Sequence, residues 1–359
     1  MKVAIISDTH AGVRNGSSVF IDHQETFYRD VFFPYLDRHK IKTILHLGDY
    51  FDNRKNIDFR VLNANRKHFL EPMRDRGITM DIIPGNHDIY YKNTTRVCSL
   101  KELLGHFTSN INIIMNPRVM TYGSMHIAML PWITPENHDE SMSFIESCRA
   151  SWLCGHLELN GFEMQKGVEM KHGMDAGIFS RFDRVLSGHY HTKSQKGNVM
   201  YLGTQMEFTW SDVDDPKYFH VLDTETQEIT PVRNPNTIFK RYAYDDEKTD
   251  PDSILIQDLS DFENKYVKVI VVKKNDTHTF DKFIDRLNSE IVTHEVKVGE
   301  NYNEFLGSRV DMDDAVGDMM STTDLLSVYV DSSDTALDKG RLKKVLQEVH
   351  AEAINIDFE

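Results

Sequence analysis

The chain has 359 residues, 40% hydrophobic and 27% charged, with a formal net charge of −15. That balance describes a globular protein long enough for two domains and a large core, and it excludes disordered and collagen-like chains. An acidic chain also does not read, taken whole, as a nucleic-acid binder. The charge is uneven, however. Residues 1–240 carry 29 acids and 27 bases, a net of −2, whereas residues 241–359 carry 27 and 14, a net of −13. No apolar run approaches a membrane span. Val3–Ile6 is too short for a signal-peptide core, so the sequence alone suggests a cytoplasmic protein without membrane contact. Cys98, Cys148 and Cys154 form no CxxC pair and read as reduced thiols.

In chain order, KVAIIS is a strand. Residues 22–40 carry Phe27, Val31 and Tyr35 at helical spacing. KTILHLG is a second strand, residues 58–76 a second helix ending near Gly77, and TMDIIP a third strand. This βαβαβ pattern predicts a largely parallel sheet covered by helices. From about residue 110 the pattern changes to strands with turns at Asn116–Pro117 and Tyr122–Gly123. SWLCGH and RVLSGH are apolar runs that end in Gly-His. NVMYLGT and YFHVLDTETQEI are late strands. A Pro/Asn-rich link at 232–239 precedes a strand, a helix and a strand that form one small α/β unit. The last segment is acidic around 311–318 and then helical. The predicted boundaries are 1–237, 238–300 and 301–359.

Asp8-Thr9-His10 follows the first strand, Gly48-Asp49 the second, and Gly85-Asn86-His87-Asp88 the third. Ligands of open α/β sheets bind at the carboxyl ends of the strands. His156, His189 and His191 follow later apolar runs through tight Gly-containing turns. Carboxylate, amide and imidazole without thiolate suit Mn²⁺, Fe²⁺, Zn²⁺ or Ni²⁺. The number of such groups suits two ions sharing a carboxylate. A lone DxH or GNHD is as readily a capped turn; the five pieces together, all at predicted strand ends, are not.

The order DxH, GDxxD, GNHD, GH, GHxH resembles the calcineurin-like metallophosphoesterase superfamily. GDYFDNRK, GHLELNG and SGHYHT resemble its SbcD-type DNA double-strand-break nucleases, and among these the recombination endonuclease subunits of T-even-type tailed phages. The resemblance covers about residues 1–235 and is loose beyond. It implies an α/β fold: a metallophosphoesterase β-sandwich flanked by helices, with a small α/β capping domain and a C-terminal helical partner-binding segment. It puts Asp8, His10, Asp49 and His191 on one metal ion and Asp49, Asn86, His156 and His189 on the other. His87 would face the scissile phosphate, and Asp88 would hold its imidazole in one tautomer. It also implies Mn²⁺, with Mg²⁺ as the alternative. The activities implied are a 3′→5′ exonuclease on duplex DNA ends and a single-strand endonuclease. The chain would be a homodimer bound to an SbcC-type coiled-coil ATPase, in the host cytoplasm if phage-encoded. Asp52 stands where other branches carry His, which leaves its role open.

Two rivals remain at this point: another metallophosphoesterase acting on small phosphoesters, and a non-catalytic scaffold subunit. Arg14, Arg54 and Lys55 are candidate DNA contacts or solvated loop charges. Trp132 reads as a core residue, with stacking on a base as the alternative. Leu342, Val345, Leu346 and Val349 share one helix face, with Asp334 as a possible cap. That face packs on the protein itself or docks on the partner ATPase.

Overall fold

The computed structural model describes residues 1–105, 109–165, 168–299, 330 and 338–354. Met1–Ser308 forms one compact unit and Arg309–Glu359 another. In the first unit two six-stranded sheets pack face to face. The first sheet runs Glu228–Arg233, Tyr218–Asp223, Lys2–Ile6, Thr43–His46, Thr79–Ile82, Ile111–Ile113. Its last four strands are parallel, as the βαβαβ reading predicts. The late strand Tyr218–Asp223 closes on Lys2–Ile6 antiparallel.

The second sheet has Trp152–His156 and Arg184–Gly188 as parallel neighbours at its centre. The two Gly-His runs are therefore adjacent strands, in a different sheet from the first three motifs. Both faces of the first sheet are covered, which is why its strands read as continuous apolar runs. Alternate residues divide between two cores. Val3, Ile5 and Leu45 face Ile127, Cys154 and Leu186 of the second sheet. Ala4, Ile6 and Ile44 face the helices through Phe27, Phe32 and Phe69.

Those helices run Ser18–His39 and Phe59–Asp75, and each is interrupted by one π-helical turn, at Tyr28–Phe32 and Arg66–Leu70. Pro34 and Pro72 follow these turns by two residues. A proline has no N–H and its ring collides with the carbonyl four residues back. A locally wider turn accommodates both without breaking the helix. Among the described residues, no helix is long and apolar enough to cross a membrane.

A parallel three-stranded sheet follows, Phe239–Asp245, Tyr266–Lys273 and Glu295–Gly299, with helix Thr277–Ser289 packed on it. The sequence reading missed its first strand, which lies just beyond the Pro/Asn-rich link. The strap Gln205–Val213 ties this unit to the rest. Glu207 accepts hydrogen bonds from the Ile238 and Phe239 N–H groups at 2.8 and 3.0 Å. Arg241 donates to the Trp210 carbonyl at 2.8 Å.

In the second unit, helix Lys339–Ile354 contains the predicted stripe. The Asp338 carboxylate accepts from the Arg341 N–H at 2.9 Å, as a side chain just before the first turn can. Val345 is 48% exposed, and Leu342 and Leu346 are half-buried. Val349 lies in the helix, with its side chain outside what is described. Asp334 and the acidic 311–318 segment lie outside the described residues.

Burial raises the Glu207 carboxyl from its ordinary 4.5 to about 7, although its two N–H bonds pull the other way. The folded state therefore binds this proton more tightly than the unfolded chain, and its share of stability falls as pH rises from 4.5 through 7. Glu207→Gln is expected to remove that slope and to exceed the wild type in stability at pH 8. Urea midpoints of both proteins at pH 5 and pH 8 measure this; parallel pH profiles would contradict it.

Candidate metal centre

The loops that leave the first sheet are zipped together before any side chain is considered. Asp8 N–H donates to the Gly48 carbonyl at 2.9 Å, and His10 N–H to the Asp49 carbonyl at 3.1 Å. Holding them so requires unusual backbone. Asp8, His10, Asp49 and His189 all adopt positive φ, at 53°, 43°, 53° and 92°. Left-handed backbone is disfavoured for side-chain-bearing residues, and such strain gathers at functional sites.

The carboxylates are aimed by backbone N–H groups from neighbouring loops. Asp8 accepts from His189 N–H at 2.9 and 3.1 Å through its two oxygens. Asp49 Oδ1 accepts from His87 N–H at 2.8 Å. Its other oxygen lies 3.2 Å from His156 Nε2 and 3.9 Å from His10 Nε2. His156 Nδ1–H donates to the Leu47 carbonyl at 2.7 Å, which leaves Nε2 directed at Asp49, free to ligate a cation once its own proton is displaced. His10 and His191 bring their Nε2 atoms within 3.2 Å of each other.

Two sets of three side chains place ligand atoms within 4.8 Å of one another: Asp8, His10 and His191, and Asp49, His156 and His189. All six are buried. Asn86 completes the second set. Its side-chain oxygen faces the Asp49 carboxylate and the lone pairs of His156 and His189, an arrangement that repels unless a cation lies among them. With the amide swapped, its nitrogen donates at 2.9 Å to His189 Nδ1 and its oxygen accepts from Arg54 at 3.0 Å. The donor set therefore fits a cation, and the swapped amide is the arrangement that satisfies the site without one.

Electrostatics point the same way. Burial, helped by the nearby Asp49 charge, pushes the Asp8 carboxyl up to about 6 against His156 and His10. Burial also opposes the charge of Asp49, but His156, His87 and His10 hold its carboxyl well below the usual range. Burial disfavours the protonated form of His156, yet Asp49 and Asp8 outweigh it and raise the group to about 9. The pocket is a strong acceptor of positive charge, which divalent ions supply.

His87 stands beside these ligands without joining either set. Its ring centroid is 4.9 Å from that of His10, and its Nδ1 is 2.5 Å from the Asp52 carbonyl. A third set, His10, Asp52 and His87, is as closely spaced, but Nδ1 of His87 is already committed to backbone. Here the sequence reading is corrected. Asp88 does not orient His87. Its carboxylate accepts from the N–H groups of Tyr50, Phe51 and Gly85 at 3.0, 3.3 and 2.9 Å. A fully buried carboxylate takes the donors in reach, and these belong to the adjoining Tyr50 loop and to the start of its own. The orienting residue is Asp52, whose carbonyl meets His87 and whose carboxylate lies 3.2 Å from His10 Nδ1.

The candidate DNA contacts diverge. Arg54 reaches Asn86. Lys55 is exposed, 5.8 Å above the Tyr90 ring. Arg14 donates to the Phe208 carbonyl at 3.2 Å. Trp132 is half-buried, its ring 5.2 Å from His189 and 5.8 Å from His156. The sequence signal for Trp132 was slight: a Pro-Trp pair ending an apolar run.

A β-sandwich with a buried Asp/His/Asn centre at its loop end defines a metallophosphoesterase. The family model for calcineurin-like phosphoesterases matches residues 1–193, and the chain belongs to that family. More particularly, it is 30% identical to exonuclease subunit 1 of Enterobacteria phage T4 over 344 residues, 95% of each chain. It is also 22% identical over 259 residues to the SbcD subunit of nuclease SbcCD from Staphylococcus saprophyticus, covering 64% of this chain and 67% of that one. The chain is thus a metal-dependent phosphoesterase related to these nuclease subunits.

Two glycines are fixed by close approach. A Cβ on Gly85 would collide with the Asp49 carboxylate, and one on Gly188 with Ser7 Oγ, 2.8 Å from the Leu47 carbonyl and 2.9 Å from Asp8 Oδ2. Gly85→Ala and Gly188→Ala are each expected to cost roughly 1–3 kcal/mol of stability and to lower metal content. Urea titration and elemental analysis check this. Full metal content at wild-type stability would show that the loops have slack.

Proposed function

We propose that the protein is a two-metal DNA nuclease, acting as a 3′→5′ exonuclease on duplex ends and an endonuclease on single strands. The observation that carries this reading is the pair of adjacent buried ligand sets, with the His87 imidazole beside them and a member of neither. The relatives named as exonuclease and nuclease subunits support DNA as the substrate. In this reading Asp8, His10, Asp49 and His191 hold one ion, and Asp49, Asn86, His156 and His189 the other. Two bound divalent ions would polarise the phosphate and supply an activated water. His87, its Nδ1–H held by the Asp52 carbonyl, presents Nε2 to the departing 3′ oxygen; with a second proton taken from solvent onto Nε2, the imidazolium would pass that proton to the oxygen as the P–O bond breaks. Arg54 and Lys55 flank the site and suit phosphate contact. Arg14 spends part of its guanidinium on backbone.

Imidazole-rich ligand sets favour Mn²⁺ over Mg²⁺, which prefers oxygen shells. Residues 1–237 form the nuclease domain, 238–300 a cap, and 301–359 the segment that docks an SbcC-type ATPase; the working form is a homodimer in the host cytoplasm. The relatives' names as subunits, and the exposed Val345 on the C-terminal helix, support a partner.

The deciding assay uses 3′- and 5′-labelled duplexes with Mn²⁺ or Mg²⁺, alongside bis(4-nitrophenyl) phosphate. Mn²⁺-dependent loss of nucleotides from 3′ ends is expected. Hydrolysis of the ester alone would favour a small-substrate phosphodiesterase. His87→Ser should lose at least about 100-fold in cleavage while keeping both ions; Asp49→Ala should lose both. Loss of an ion from His87→Ser would mean that His87 is a ligand. Truncation before Asp334 is expected to spare Mn²⁺ nuclease activity on short DNA and abolish co-purification with the ATPase. A truncated chain that still binds the ATPase would place the partner surface elsewhere.

A further inference from the structure

A cavity of about 430 Å³ opens directly beside the metal centre, with His156 in its wall. That volume is in the range of small-molecule sites. Trp132, Ile133, Pro135 and Met174 supply apolar surface, while Glu158 and Asp139 supply carboxylates. Among the described residues, neither Lys nor Arg lines it. Phosphate is thereby disfavoured, and an uncharged, flat, polar-edged group suits both the apolar walls and the acceptors.

Trp132 is held rigidly for such a role. Its N–H donates to the Pro84 carbonyl at 3.0 Å, so it is anchored to the loop that carries Asn86 and His87. Its own carbonyl accepts from Asn137 Nδ2 at 3.1 Å, and Asn137 Oδ1 accepts from the Thr134 N–H at 2.7 Å. The opposite wall is closed by Met174 N–H donating to the Glu158 carbonyl at 2.9 Å. There Gly173, at φ 122°, leaves no room for a Cβ, which would come within 2.8 Å of that carbonyl. The cavity is thus built by backbone bonds, and the backbone of Trp132 is pinned to the centre's own loops.

We propose that this cavity is a nucleobase subsite, in which Trp132 stacks on the base of a nucleotide flanking the scissile phosphate. The proposal rests on the nuclease reading above. Stacking on an indole is tolerant of sequence, since every base has a π-face. The subsite would hold one base out of the duplex stack while its phosphate lies at the metals. Trp132 is then a determinant of substrate binding, and phosphate esters without an aromatic group do not engage it.

The test uses full-length protein with Mn²⁺ and duplexes whose nucleotide on either side of the first scissile phosphate is normal or abasic. The wild type is expected to lose roughly tenfold in kcat/KM at one abasic position. Trp132→Ala should lose a similar factor on the normal duplex and nothing further on the abasic one, and Trp132→Phe should recover most of the loss. In a His87→Ser background, 2-aminopurine at that position should be quenched on binding, and Trp132→Ala should abolish the quenching. An equal abasic penalty in wild type and Trp132→Ala would overturn the proposal, since coupled groups must be non-additive. So would a parallel loss of bound metal in Trp132→Ala by elemental analysis, because Trp132 would then act through His156 and His189. A wild type that cleaves bis(4-nitrophenyl) phosphate and no DNA would instead remove the nuclease reading, and the subsite with it.

Discussion

Asp49 is a carboxylate at 1% exposure, and keeping a charge in that position demands compensation from every side. It receives it from the His87 N–H and from the imidazoles of His156 and His10. The constraint propagates outward. His87 N–H can reach it only because Gly85 has no side chain. The loop bearing Asp49 turns through a positive φ to bring the carboxylate inward. Asp88 then satisfies the N–H groups that this turn leaves without strand partners. Much of the strain near the centre is the consequence of seating one negative charge where water does not reach.

The two sheets contribute different chemistry. The first supplies Asp8, Asp49 and Asn86, all oxygen donors, together with His10. The second supplies His156, His189 and His191. Neither sheet alone holds a complete set, and the apolar seam between them, from Val3 to Leu186, sets the spacing of the ligands. Core packing and ligand geometry are one problem here, and a change in the seam is felt at the centre.

Much of this was legible in the sequence, because strand ends are marked by apolar runs that stop at Gly-Asp, Gly-Asn or Gly-His. The chain shows which residues leave a strand at its carboxyl end. It does not show what they bond to once there. Asp88 was assigned to His87 by adjacency, yet its carboxylate turns to the backbone of the Tyr50 loop. Asp52 looked like a departure from pattern and proves to touch two histidines. Trp132 carried no periodic signal, and its position depends on the Pro84 carbonyl, a contact between residues far apart in sequence. The placement of the Gly-His runs in a second sheet was likewise hidden, since period-2 patterning identifies a strand but not its neighbours.

The pairing of Tyr218–Asp223 with Lys2–Ile6 has a consequence for synthesis. The strand that begins the chain keeps one edge open until a segment more than two hundred residues later has left the ribosome. Such non-local closure is slow to form. His189 and His191 also emerge late, so a nascent chain carries the aspartates of the centre well before the imidazoles that complete it. The centre can therefore be completed only once His191 has emerged, shortly before the strand Tyr218–Asp223 closes the sheet.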